Sequence, residues 1–144
     1  LARFQKSSEL LRRGRLPADG LAFVAFDGKH MIGTVRLWNV KAGDSGSSLL
    51  LGPLAVEKAY NGSGVGAGLM YAALNAAQSA GHQSVLLVGD PDYYARFGFN
   101  AAPANGLLMP GHFDRHRFLG INLGNGDALS GSTGILRATG QMTH

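Results

Sequence analysis

The chain has 144 residues, 45% of them hydrophobic, with 13 lysines and arginines against 9 aspartates and glutamates, and no cysteine. This length and apolar content suit one compact domain spanning residues 1–144, and no membrane span, signal peptide or disulfide is expected, which fits a soluble protein of the cytoplasm. The modest basic excess gathers early, at Arg3, Arg12, Arg13 and Arg15, without aromatic interleaving, so it reads as a solvated helix face and no nucleic-acid partner is expected.

Apolar spacing predicts a helix from Phe4 to Arg13 and a strand from Leu21 to Asp27. A turn at Gly28 and Lys29 leads to a second strand from Met31 to Val40. The glycine and serine stretch from Lys41 to Ser48 reads as a flexible hairpin tip, followed by an apolar strand from Leu49 to Val56. Pro53 interrupts that strand, and a residue without an N–H belongs at a bulge or where pairing stops. A helix from Gly64 to Ala80 rests on Val65, Leu69, Ala72 or Ala73, Ala76 and Ala80, with Gly81 as its stop. A strand follows from Ser84 to Val88, then a helix from Pro91 to Phe97 with Asp90 as N-cap and Gly98 after the last turn. Later strands are expected at Leu107 to Met109, Phe118 to Leu123 and Ile135 to Ala138.

Between the apolar strand and the long helix lie Gly62, Gly64, Gly66 and Gly68. The first N–H groups of a helix lack intrahelical partners and the helix dipole favours negative charge there, so a loop without side chains lets a phosphate approach them. A P-loop is excluded because Ala67 and Gly68 stand where lysine and serine or threonine are required. Gly62, Gly64 and Ala67 fit the dinucleotide pattern, with Asp90 at the end of the next strand, so a nicotinamide-dependent oxidoreductase is a third reading. Against it, Glu57 to Asn61 separate strand from glycines, whereas the dinucleotide turn follows its strand almost at once.

The stretches LGPLAVEKAYNGSGVGAGLM and GHQSVLLVGDPDYYARFGF together resemble the GNAT superfamily of N-acetyltransferases, from about Gly20 to Phe118. Asn61, Gly62, Ser63, Gly64, Val65 and Gly66 occupy the family's Q/RxxGxG/A loop, and Tyr94 to Phe99 occupy its YxxxGF motif. The resemblance implies an α/β fold with a mixed sheet, mostly antiparallel with a splayed parallel pair and flanking helices. It also implies acetyl-CoA as acetyl donor and a primary amine as acceptor. On the family's pattern the loop holds the CoA pyrophosphate, Leu54, Ala55 and Val56 line the acetyl and pantetheine end, and Tyr94 is the general acid toward the departing thiolate. Tyr93 reads as structural. Asn61 and Ser63 depart from the family's usual Gln or Arg and basic residue, which leaves a non-catalytic CoA-binding or interaction module as the alternative.

No general base is identified, since Gly52 and Leu50 stand where family members often carry Glu or His. His112, Asp114 and His116 form an HxDxH cluster in an expected loop; no metal is assigned to it, and a histidine lining the acceptor pocket is the other role open to it. The first residue is Leu1, and the strand and helix with which the family's domains begin are absent, so the domain reads as N-terminally shortened and a homodimer through an exposed strand edge is expected.

Overall fold

A computed structural model describes residues 7–143. Helix α1 (Ser7–Arg12) precedes β1 (Ala22–Asp27), β2 (His30–Lys41), β3 (Ser47–Val56), α2 (Val65–Ser79), β4 (Ser84–Val88), α3 (Pro91–Tyr94), β5 (Leu107–Leu108), β6 (Phe118–Asn122), β7 (Gly134–Ile135) and β8 (Arg137–Ala138). The main sheet runs β1-β2-β3-β4-β6, with β8 against the end of β2, and β5 and β7 form a separate parallel pair. Every pairing in the main sheet is antiparallel except β3 with β4. This is the mixed α/β sheet expected from the sequence.

Both faces of the central strands are covered, and their sequences are accordingly apolar almost throughout. On one face α2 buries Leu69, Met70, Ala73, Leu74 and Ala77 against Val35, Leu37, Leu49, Leu51, Val85 and Leu87. On the other, Trp38, Val40, Leu50, Leu86 and Phe118 meet Leu11 of α1 and Leu107, Met109, Leu129 and Leu136 from the C-terminal segments. The core side of α2 mixes the large Leu69, Met70 and Leu74 with the small Ala73 and Ala77.

Several boundaries differ from expectation for physical reasons. The core stripe of α2 runs through Leu69, Ala73 and Ala77 and through Met70 and Leu74, leaving Ala72 and Ala80 exposed. In an alanine-rich helix, spacing alone does not say which alanines face inward. The hairpin tip is shorter than expected and tied down, because Asp44 N donates to Thr133 O at 2.8 Å. The last expected strand divides at Leu136: Gly134–Ile135 joins β5, and Arg137–Ala138 joins β2. The expected start of the first helix at Phe4 lies outside the described residues. Arg3 does too, whereas Arg12 and Arg15 are half-buried and only Arg13 of that basic run fits a solvated face.

Candidate active site

Strands β3 and β4 pair only through Leu49 with Val85 and Leu50 with Leu86. Beyond that point β3 continues against β2 alone and β4 against β6 alone, so the two part and leave a V-shaped gap. The cause lies in β3. Val35 pairs with Leu54 and Leu37 with Leu51, so Arg36 of β2 faces both Gly52 and Pro53. This is a bulge, as Pro53 suggested, and Gly52 at φ 140° takes a conformation open to glycine.

The bulge also decides where the backbone of the following residues points. Glu57 N donates to Ile32 O at 2.8 Å, which sets the alternation of the antiparallel ladder. Bonded pairs are then Glu57 with Ile32 and Ala55 with Thr34. Leu54 and Val56 fall in the non-bonded pairs, so their N–H and C=O groups turn away from β2 into the gap. The Leu54 and Val56 side chains lie on the α2 face, while Ala55 is exposed.

At the mouth of the gap a turn, Lys58–Tyr60, leads into the glycine loop. Gly62 at φ 78° and Gly64 at φ 91° are left-handed, and Gly64 caps α2 with no side chain on the helix end. The first intrahelical bond is Gly68 N to Gly64 O at 2.9 Å, so the amides from Gly64 to Ala67 have no intrahelical acceptor. Nothing stands within 4 Å of the Cβ position at Gly62, Gly64 or Gly68. The result is open space over bare donors, the setting an anion requires. Asn61 and Ser63 are exposed, and the Ser63 hydroxyl donates back to Tyr60 O. Tyr60 in turn donates to Asp27, and His30 Nε2 stands 2.9 Å from both carboxylate oxygens of Glu57, so the loop is braced against the β1–β2 turn.

Helix α3 forms the opposite wall. Asp90 accepts from Asp92 N at 3.0 Å, Pro91 opens the helix, and Gly98 at φ 95° ends the turn Ala95–Phe97. Tyr94 is half-buried against Tyr93 and Phe99, with ring centroids 5.0 and 6.1 Å away. Burial first, then Tyr93 and Asp90, push its pKa above the ordinary phenol value, and Arg117 pulls in the other direction. The Tyr94 ring covers Gly89 at the end of β4, leaving no room there for a Cβ.

Tyr93, read as structural, packs beside the site. Its hydroxyl is 2.8 Å from the Cβ position of Gly66, a position itself 3.6 Å from Val56 Cγ2. Tyr93 therefore spans from α3 to the start of α2, and Arg96 stacks on its ring at 4.5 Å. Small residues on both sides of two adjacent tyrosines, at Gly66 and Gly89, were the available signal.

The structure thus brings together Leu54, Val56, Gly62, Gly64, Val65, Gly66 and Tyr94 around one gap. Gly52 and Leu50 are where expected and offer no proton acceptor. His112, Asp114 and His116 are exposed, and Asp114 accepts from His116 N at 3.0 Å, which caps the following turn. Among the described residues, no group of three or more His, Cys, Asp or Glu side chains is placed to hold a metal.

Residues 18–101, which include both motifs and the whole gap, match the family model of the acetyltransferase (GNAT) domain. The chain belongs to the GNAT family, a class of acetyl-CoA-dependent acyltransferases. It is 36% identical over 91 residues to the uncharacterized N-acetyltransferase YhbS of Escherichia coli strain K12, covering 60% of this chain and 51% of the relative. The chain thus spans about half the length of the curated relatives it matches. In three dimensions it is similar to the crystal structure of YhbS from Escherichia coli in complex with CoA, with TM-score 0.73 and 31% identity over 92% of this chain and 72% of that one. A GNAT family acetyltransferase from Brucella melitensis in complex with acetyl-CoA shares the fold, at TM-score 0.63 and 24% identity over 92% of this chain and 70% of that one. The nicotinamide reading falls with the family match.

Proposed function

We propose that this chain binds acetyl-CoA and transfers the acetyl group to a primary amine by direct attack. The observation that carries the reading is the bulge at Gly52 and Pro53, which turns the Leu54 and Val56 backbone into a gap that opens beside an uncapped, glycine-lined helix end. The amides from Gly64 to Ala67, with Gly62 and Ser63 before them and Asn61 at the rim, hold the pyrophosphate. Val56 bonds the pantetheine arm, Ala55 lines the opposite face, and the Leu54 N–H polarises the thioester carbonyl as negative charge develops on its oxygen.

The amine nitrogen forms the new C–N bond as the C–S bond breaks. Tyr94 gives its hydroxyl proton to the leaving sulfur, which is of similar basicity. The amine arrives neutral or releases its proton to water. With no cysteine in the sequence, no acyl-thioester enzyme is needed in this route.

Residues 1–144 form one such domain in this reading, acting in the cytoplasm; among the described residues no helix is long and apolar enough to cross a membrane. Among the described residues strand β1 is one of the sheet's two end strands and exposes Val24 and Phe26, which suits a homodimer formed along that edge, testable by sedimentation.

The test is release of free thiol from acetyl-CoA over a panel of primary amines, beside the melting temperature with acetyl-CoA and with NAD. Acetyl-CoA at a hundred times its dissociation constant stabilises the fold by about 2.7 kcal/mol. Stabilisation with thiol release supports transfer. Stabilisation with no release from any amine makes the chain a CoA-binding module, and no stabilisation removes both readings.

A further inference from the structure

We propose that Arg36, with Arg12 beside it, forms an oxyanion subsite for the acceptor, so that the amine acetylated here also carries a carboxylate or a phosphate. The inference rests on the acetyl-transfer reading above and deepens it.

Arg36 is the one β2 residue that faces the two-residue bulge. Its neighbours Val35 and Leu37 point into the core beneath α2, so Arg36 lies on the opposite face with Trp38. The guanidinium carbon stands 5.4 Å from the centroid of the Trp38 ring, and Trp38 Nε1 donates to Gly52 O at 2.6 Å. The indole thus holds the arginine directly beneath the bulge.

Arg36 Nε is buried with no hydrogen-bond partner among the described residues. A buried guanidinium N–H left without an acceptor is costly, and native structures rarely keep one without a use. Arg12 of α1 adds a second cation. Its pKa is lowered, first by burial and then by repulsion from Arg36, with Glu9 acting in the opposite sense. Arg12 and Arg36 thus bring two guanidinium groups close enough to repel each other, which favours an added anion between them.

The position suits an acceptor. The glycine loop lies at the end of α2 on the other face of the sheet, and the donor's arm enters the gap from there. The amine approaches from the side the donor leaves free, which is the face of Trp38, Arg36 and α1. Adjacent strands lie about 4.8 Å apart, so an oxyanion on Arg36 sits a few bonds from a nitrogen attacking at Leu54. With Nε buried, Arg36 offers its two Nη groups as paired donors, which a carboxylate or phosphate can accept together.

The experiment compares thiol release with 4-aminobutyrate, O-phosphoethanolamine and n-butylamine, using the full chain. The expected result is a kcat/KM at least about tenfold higher for one anionic amine than for n-butylamine, expressed mainly in KM. The anionic amine preferred separates carboxylate from phosphate. In Arg36→Gln that preference disappears, and Arg36→Lys, which keeps the charge and loses the paired donors, falls between. A preference for n-butylamine, or one that survives Arg36→Gln, overturns the proposal. The acetyl-CoA-induced melting shift, followed in each variant, reports folding. If no amine is acetylated the transfer reading fails separately. The subsite is then read from the melting temperature of the CoA-saturated protein: a rise with either anionic probe that Arg36→Gln abolishes supports it, and no rise overturns it.

Discussion

Ser48 Oγ and Ser84 Oγ lie 2.7 Å apart, joining β3 to β4 through two hydroxyls on residues only 3% and 1% exposed. They stand one register step before Leu49 and Val85, where the parallel pairing begins. The bond therefore clasps the closed end of the V. Ser84→Ala leaves the Ser48 hydroxyl buried without its partner and is expected to cost about 1–3 kcal/mol in chemical denaturation, with Ser48→Ala similar. The double variant should cost less than the sum, because the second change removes the group that the first left unbonded.

Tyr94→Phe keeps the ring against Phe99 and removes the proton. Thiol release should fall about a hundredfold or more in kcat, with the acetyl-CoA melting shift retained. The pH profile tests the same group. The raised pKa keeps Tyr94 protonated past the ordinary phenol value of about 10. A general acid works below its pKa, so activity should show no decline assignable to this residue between pH 6 and about 9.5.

The contact of Tyr93 with Gly66 is open to a double-mutant cycle. A methyl at Gly66 would meet the Tyr93 hydroxyl at 2.8 Å, at the helix end proposed to hold the pyrophosphate. Gly66→Ala is expected to weaken acetyl-CoA binding about tenfold by calorimetry, although alanine favours the helix by up to about 1 kcal/mol. Adding Tyr93→Phe removes the obstructing oxygen and should restore much of the affinity.

Gly64 tests the loop backbone. At φ 91° a side chain is strained whatever the space around it, so Gly64→Ala should cost about 1–2 kcal/mol in denaturant. Space is open there, so Gly64→Asn, a residue more tolerant of this region, should cost less.

The sequence revealed most where a residue type has one physical use. Pro53 announced the bulge because a strand can accommodate a missing N–H in few places. The glycines announced the loop, and Asp90 and Pro91 marked the start of α3, while the expected helix to Phe97 passes after Tyr94 into the 3-10 turn Ala95–Phe97 that Gly98 ends. It revealed least where composition is uniform or the decisive neighbour is distant. Alanines made the inner side of α2 ambiguous, and the split around Leu136 depends on two different partner strands. The tether from Asp44 to Thr133 spans most of the chain, so no local pattern carries it. The neighbours of Tyr93 at Gly66 and Val56 become visible only in three dimensions, and Arg12 looked solvated until α1 was laid against β2.

The bulge gives β3 a change of phase. Leu49 and Leu51 face α2 before it, and Leu54 and Val56 face α2 after it, so the inward positions switch from odd to even numbers at Gly52 and Pro53. Loss of either residue would bring the strand back into one phase. Leu54 would still stand opposite Val35 and Val56 opposite Gly33, facing α2 as before, but the extra residue that bends β3 away from β4 would be gone. The length of this strand is thus a coding constraint separate from its composition: a deletion of one codon at the bulge would straighten the strand and narrow the gap, whereas a deletion at Ala55 would turn Val56 outward and carry Glu57 to the inward side.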